Sequence, residues 1–219
     1  MSNVILIDSM GTDLSVANAA RVSFAKKNTE FKEPGDSRLI NYLAKHGHWT
    51  PFGHATLSFH ISAPIFVARQ LVKHQVGLVW NEISRRYVDY EPDYWIPEHW
   101  RARAEDKKQG SDENEYIDWL TKDERTSGRV DKVCKFAIQT YKLMLEKGVC
   151  PEQARMVLPQ NVLTEWYWTG SLYAFARVCN LRCQPDAQKE TRDICWEIDQ
   201  LANVLFPVSW GALRNAETD

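Results

Sequence analysis

The chain has no long apolar run, no paired cysteines and no surplus of charge of either sign. Its hydrophobic stretches are far too short to cross a bilayer, and no charged segment followed by an apolar one resembles a secretion signal, so a cytoplasmic protein free of membrane is expected. The five cysteines (Cys134, Cys150, Cys179, Cys183 and Cys195) are odd in number and form no Cys-x-x-Cys pair. Scattered reduced thiols fit that compartment better than a disulfide scaffold or a zinc site. With 27 basic and 29 acidic residues the net charge is −2, so no global positive field draws the chain to nucleic acid. Also absent are the GxGxxG of a dinucleotide fold, the GxxxxGK[ST] of a P-loop and the GxSxG of a hydrolase elbow.

What is present is ordinary in bulk: 219 residues, 44% hydrophobic and 26% charged, enough for one large domain or two small ones. The nine tryptophans are the compositional oddity. Trp49, Trp80, Trp95, Trp100, Trp166 and Trp168 stand beside polar residues, which suits stacking on a planar ligand or a subunit interface; amphipathic core edges are the alternative.

The densest chemistry runs from Lys73 to Tyr87, as Lys73-His74-Gln75-Val76-Gly77-Leu78-Val79-Trp80-Asn81-Glu82-Ile83-Ser84-Arg85-Arg86-Tyr87. Such a stretch is poor core material, since buried polar groups need partners. Arginine's planar fork suits phosphate and the carbonyl edges of a pyrimidine. We read the strip as ligand-binding, and the rest of the chain as the frame presenting it.

Taken in order, Val4 to Ile7 predicts a short buried strand ended by Asp8 and Gly11, and Asp13 reads as the cap of a helix through Ala20. Residues 26–36 read as a loop, and Ser37 begins a second helix stopped by Gly47. Leu57, Phe59 and Ile61 alternate with polar residues, the clearest strand in the chain. Pro64 suits the first position of a helix reaching Gln75, which would stack Gln70 on His74 and Arg69 on Lys73 at spacings of four. The strip then becomes a helix end plus a loop. Val88 to Trp100 predicts irregular cover, and 101–129 an exposed excursion centred on Lys107 to Asn114. A helix follows from Asp131 to Lys147 with Val133, Ala137 and Met144 inward. After a short helix from Pro151 to Leu158 come a strand from Asn161 to Thr169 and helices over Ser171–Leu181 and Ala187–Leu205, the last striped by Ile194, Ile198, Leu201 and Leu205. The expectation is a helix-rich α+β chain, residues 1–219 as a single domain with a small central antiparallel sheet.

Two further groups carry chemistry. His46, His48 and His54 surround Thr50 in a turn-rich loop, but no nearby carboxylate or cysteine completes a metal ligand set, so no metal is expected. Imidazoles facing a ring or a phosphate fit better. Arg155 and Arg182 lie among apolar residues of later helices and need an anion or a carboxylate; with Arg86 and Lys73 they would form an anion pocket, an internal salt bridge being the alternative. From the residues alone the reading is an enzyme or binding protein for an anionic, ring-bearing ligand.

Several blocks then point further. Ala20-Arg21-Val22-Ser23-Phe24, His46-Gly47-His48-x-Thr50-Pro51-Phe52-x-His54, Ala63 to Gln70, Ala154-Arg155-x-Val157-Leu158-Pro159 and Asn180-Leu181-Arg182, in this order, resemble blocks of the flavin-dependent thymidylate synthases. That family's signature is Arg-His-Arg, seven residues, then Ser, within Asn-Glu-x-Ser-x-Arg-Tyr. Here Lys73-His74-Gln75 precedes Ser84 by eight residues, so both arginines are replaced and one residue is inserted. The resemblance implies a homotetramer with FAD where subunits meet, making dTMP from dUMP with 5,10-methylenetetrahydrofolate as carbon donor and NADPH as reductant, and no nucleic-acid partner. It assigns catalysis to Arg182, polarising the uracil, and to His48, near the flavin ring. Gln70, Lys73, Gln75, Glu82, Ser84, Arg85, Arg86, Arg155 and Arg182 would hold dUMP. Ser23, Thr50, Lys73, His74, Gln75, Asn81, Glu82, Ser171 and Arg177 would hold FAD, asparagine being common in the family where Ser171 and Arg177 stand here. The competing readings are a flavoenzyme on another pyrimidine nucleotide and a non-catalytic nucleotide- or RNA-binding relative.

Overall fold

The computed structural model describes residues 3–105, 110–117 and 124–216. Its frame is set by one alternating strand. β1 (Asn3–Met10) runs along one side of β2 (Thr56–Pro64), whose Leu57, Phe59 and Ile61 are fully buried while Thr56, Ser58, His60 and Ser62 stay half-buried. A period of two with one covered face is what one-sided packing of an antiparallel sheet demands. β1 is an edge strand with an irregularity between Leu6 and Asp8. Only Val4 of its apolar run is buried, and Ile5 and Ile7 are 45% and 47% exposed, so the expected buried strand is longer and half solvated.

Helix α1 (Asp13–Arg21) is capped by Thr12, not Asp13; the Thr12 amide donates to Ser15 Oγ at 3.0 Å. The Asp13 carboxylate is taken elsewhere, as described below. α2 (Gly35–Lys45) begins two residues before Ser37 and buries Ile40 and Leu43. The helix after Pro64 is shorter than its sequence suggested: α3 spans Ile65–Leu71, so Lys73 and His74 lie beyond it and no stacking with Arg69 and Gln70 occurs along a helix face. The chain instead turns and forms strand β3 (Leu78–Glu82). Leu78 and Trp80 are half-buried and Val79, Asn81 and Glu82 exposed, a two-residue alternation the helix-plus-loop reading passed over.

The hydrophilic tract is not simply an excursion. β4 (Arg101–Arg103) and β5 (Ser111–Tyr116) pair into a hairpin, Ala102 is buried, and Arg101 Nη2 meets Glu190 Oε1 at 2.7 Å. Lys107, Lys108 and Gln109 of the tract lie outside the described residues. α4 (Glu124–Glu146) starts earlier than Asp131 and buries Cys134, Ile138 and Tyr141; Val133 points out and is 63% exposed, so the inward stripe is shifted by one residue. The short α5 (Pro151–Ala154) passes into a single 3-10 turn.

β6 (Leu163–Ser171) lies between β2 and β3, completing the antiparallel order β1-β2-β6-β3. α6 (Leu172–Arg182) packs on the sheet through Phe175, whose ring meets Phe59 and Trp168 edge-on at 5.1 and 5.2 Å. α7 (Lys189–Leu205) carries the stripe expected of it. A last helix, α8 (Pro207–Asn215), follows with Ser209, Trp210, Ala212 and Leu213 buried. Pro207 stands at its first position, where the missing amide costs no helical hydrogen bond. Asp13 caps it, accepting from the Val208 and Ser209 amides at 3.0 and 2.8 Å, where a carboxylate also suits the helix dipole. The result is one helix-rich α+β domain around a small antiparallel sheet. Among the described residues no helix is long and apolar enough to cross a membrane.

Candidate active site

The turn between α3 and β3 seats His74. Its amide donates to the Leu71 carbonyl at 3.0 Å, and the Leu78 amide to the Gln75 carbonyl at 3.2 Å. Gly77 has φ +77°, and a Cβ there would stand 3.0 Å from that of Ala174, so only glycine lets the turn lie this close to α6. The Gly77 carbonyl accepts from the Ser171 amide at 3.2 Å, while Ser171 Oγ caps α6 by accepting from the Ala174 amide. The turn is thus clamped to the start of α6, and the imidazole meets the far end: Arg182 Nε donates to His74 Nε2 at 2.9 Å.

Burial first, then the charges of Arg182 and Arg177, hold the His74 imidazole below its ordinary value and keep it neutral. Three half-buried arginines elsewhere have carboxylate partners: Arg21 with Asp36, Arg101 with Glu190 and Arg214 with Asp199. Among the described residues no carboxylate pairs with Arg177 or Arg182. Arg182 thus bonds a neutral ring on which the exposed Arg177 also acts through its charge, an arrangement that favours an anion or a developing negative charge.

The end of β3 carries a second group. Glu82 Oε1 accepts from Thr164 Oγ1 at 2.7 Å and Oε2 from Trp80 Nε1 at 3.1 Å, while the Trp80 ring stacks on Trp166 at 4.4 Å and 16°. Asn81 is exposed beside it. Beyond the strand, Ser84 Oγ accepts from the Arg86 amide and Nε at 3.3 and 3.4 Å. Arg86 covers the Tyr87 ring, and Arg85 covers Tyr90 at 4.6 Å while donating to its carbonyl. The sequence offered no sign of Thr164, of Tyr90 or of Trp166 as the partner of Trp80; the first and last depend on strand register.

A third group lines a cleft of about 500 Å³ between α1, α2 and the Thr50–His54 3-10 turn, bringing Ser23, His48 and Thr50 together with Phe24 and Tyr42. His48 lies flat against Tyr42 at 6.2 Å and 21°. Under it, burial alone would raise the Asp36 carboxyl, but the Arg21 guanidinium and the Lys32 amide hold it below the usual range. Two larger cavities, about 570 and 800 Å³, lie between the hairpin and α7 around Trp95, Pro97, His99, Arg101 and Glu190, the first also bordered by α4; none of the candidate site residues lines them.

Other candidates stand apart. Arg155 is exposed in the 3-10 turn with Nε toward the Glu152 carbonyl at 3.3 Å, so it is not the helix-embedded arginine its apolar neighbours suggested. Lys73 and Gln75 are exposed. Gln70 Oε1 is buried with no hydrogen-bond partner, an orphaned acceptor that a ligand donor would satisfy.

Residues 5–208 match the family described as thymidylate synthase complementing protein. A flavin-dependent thymidylate synthase of Thermus thermophilus is 39% identical over 211 residues, covering 96% of this chain and 75% of its own. That of Kosmotoga olearia is 36% identical over 210 residues, covering 96% and 89%. Among solved structures, a UMP/dUMP methylase PolB from Streptomyces cacaoi, bound with 5-Br dUMP, superposes with a TM-score of 0.85 at 28% identity, over 99% of this chain and 98% of that one. With its sheet order, its His74–Arg182 pair and near full-length matches of this kind, the chain belongs to the flavin-dependent thymidylate synthase family.

Proposed function

We propose that this enzyme makes dTMP by reductive methylation of dUMP, taking the carbon from 5,10-methylenetetrahydrofolate and using FAD reduced by NADPH. The observation that carries the reading is the Arg182 guanidinium, partnered only by a neutral imidazole among the described residues and so able to stabilise charge on a pyrimidine. The names of the relatives and of the structural neighbour support the same substrate.

The residues fit the flavin. A cleft holding Ser23, His48 and Thr50 and a neutral His74 beside two arginines without carboxylate partners among the described residues are a donor and acceptor set for an anionic, ring-bearing cofactor, while the orphaned Gln70 acceptor suits the nucleotide. Ser23, Thr50, Lys73, His74, Gln75, Asn81, Glu82, Ser171 and Arg177 would hold FAD. When bound, it supplies the hydride that completes the methyl group. Gln70, Lys73, Gln75, Glu82, Ser84, Arg85, Arg86 and Arg155 would hold dUMP, the arginines largely through phosphate. Arg182 polarises the uracil carbonyl so that C5 becomes nucleophilic, and His48 guards access to the ring. Because these residues occupy separate patches of one chain, a homotetramer that brings patches of neighbouring subunits together is part of the proposal.

No cysteine attack is invoked. Burial pushes the Cys179 and Cys195 thiols up, away from thiolate. Cys183, half-buried at the end of α6, is instead pushed down by a hydrogen bond from Cys179 and by Arg214. Cys183→Ser is therefore the control, and it should retain turnover.

The test is tritium release from C5-labelled dUMP with methylenetetrahydrofolate and NADPH, with and without FAD. FAD-dependent release supports the reading. No release from folded, flavin-loaded protein overturns it. The neighbour's UMP/dUMP name makes labelled UMP the second substrate to run, and preference for UMP would move the assignment to the ribonucleotide.

A further inference from the structure

We propose that His74 is a positioning residue for Arg182: by accepting the Nε–H, the imidazole turns the guanidinium so that both terminal NH2 groups face the ligand with their charge undiminished. The inference rests on Arg182 acting on the substrate, as argued above, and adds what holds it there.

Arginine carries five N–H donors in a planar fork, and the one on Nε is the only one not on the terminal edge. His74 Nε2 occupies that donor at 2.9 Å. The four remaining donors, on Nη1 and Nη2, form the edge that pairs with two oxygens or with a carbonyl and its neighbour. A carboxylate at the same place would orient the fork equally well but would cancel its charge, as Glu190 does for Arg101 and Asp199 for Arg214. An imidazole orients without neutralising.

The arrangement constrains the ring itself. To accept at Nε2, His74 must carry its proton on Nδ1, and a doubly protonated ring cannot accept at all. The charged groups facing it are Arg182 and Arg177, both from α6, with exposed Lys73 adjoining in the chain. Both guanidinium groups are cationic, so after burial each disfavours a second proton on the ring. The backbone is equally committed, because the Gly77–Ser171 clamp fixes the turn to the helix that bears Arg182.

The tautomer gives a readout independent of turnover. Nitrogen NMR of the [15N]histidine-labelled protein, with and without FAD, should show one Nδ1–H histidine that accepts at Nε2, and Arg182→Ala should abolish that pattern. A folded protein in which His74 carries its proton on Nε2 overturns the proposal, whether or not the enzyme turns over dUMP. If the protein is active, His74→Ala should lower kcat for tritium release about 10- to 100-fold with a smaller change in KM for dUMP, the scale of losing an orienting partner. His74→Gln, whose Oε1 is a neutral acceptor, should recover most of that loss. It should also lack the fall in kcat on acidification that protonating His74 gives the wild type. Equal rates for the alanine and glutamine variants, with an unchanged pH profile, would reject positioning.

Discussion

Thr164 Oγ1 donates to Glu82 Oε1 at 2.7 Å across the β6–β3 edge, and the Trp80 indole holds the other carboxylate oxygen. Thr164 is 6% exposed, so its hydroxyl has no competing water, whereas Glu82 faces outward. Thr164→Val keeps the shape and removes the donor. We expect a loss of about 1 kcal/mol in stability, a fall in Tm of roughly 2–4 °C for a chain of this size, and several-fold weaker FAD binding. Thermal melts and flavin titration measure both. Unchanged flavin affinity would detach Thr164 from the site.

Arg182→Ala should abolish turnover by about 10²- to 10³-fold, the cost of removing one donor to developing charge. The side chain is half-buried and bonded to His74, so far-UV circular dichroism should be unchanged. Wild-type rates of tritium release in this variant would sink the role assigned to it.

Gly170→Ala attacks the site through the backbone. A Cβ at Gly170 would fall 2.5 Å from the Gly77 carbonyl oxygen and 2.5 Å from Leu78 Cδ2, in a place where β3 cannot yield without losing its pairing with β6. Overpacking of this kind costs roughly 1–3 kcal/mol. Because the displaced turn carries His74, activity should fall further than the loss of folded protein accounts for. Urea denaturation and kcat on the folded fraction separate the two; a variant as stable as wild type would contradict the close approach.

His74 also shapes stability against pH. Its ring is held below the ordinary 6.5 by burial, then by Arg182 and Arg177, so below pH 6.5 the unfolded chain binds the proton more readily than the folded one. The contribution is present in full above that value. It is lost as pH falls through the window down to the depressed folded value. His74→Gln should flatten this part of the curve of urea midpoint against pH. An identical slope in both proteins would show that other groups produce it.

Much of the frame was legible. The alternation of Leu57, Phe59 and Ile61 and the stripe of α7 are local patterns, and one buried face accounts for each. The strip from Lys73 to Tyr87 was legible as a site for the opposite reason, since its polar density fits no core. Its shape was misread. The helix stops at Leu71 because β6 offers an unpaired edge to Leu78–Glu82, and pairing with it outweighs the local preference for continuing the helix. Likewise Asp13 does not cap α1, because the amides it satisfies belong to Val208 and Ser209, nearly the whole chain away.

Residue types and spacing by themselves determined the α+β class and the identity of the chemical groups, because alternation and charge density are written over a few neighbouring positions; the family was legible only through the resemblance of whole sequence blocks. Which groups meet was decided by the tertiary structure. His74 and Arg182 are 108 residues apart and Glu82 and Thr164 are 82, and only the docking of α6 on the sheet and the register of β3 on β6 bring them to hydrogen-bond distance. Contacts at that separation depend on burial and strand register across the whole domain, which no local stretch encodes.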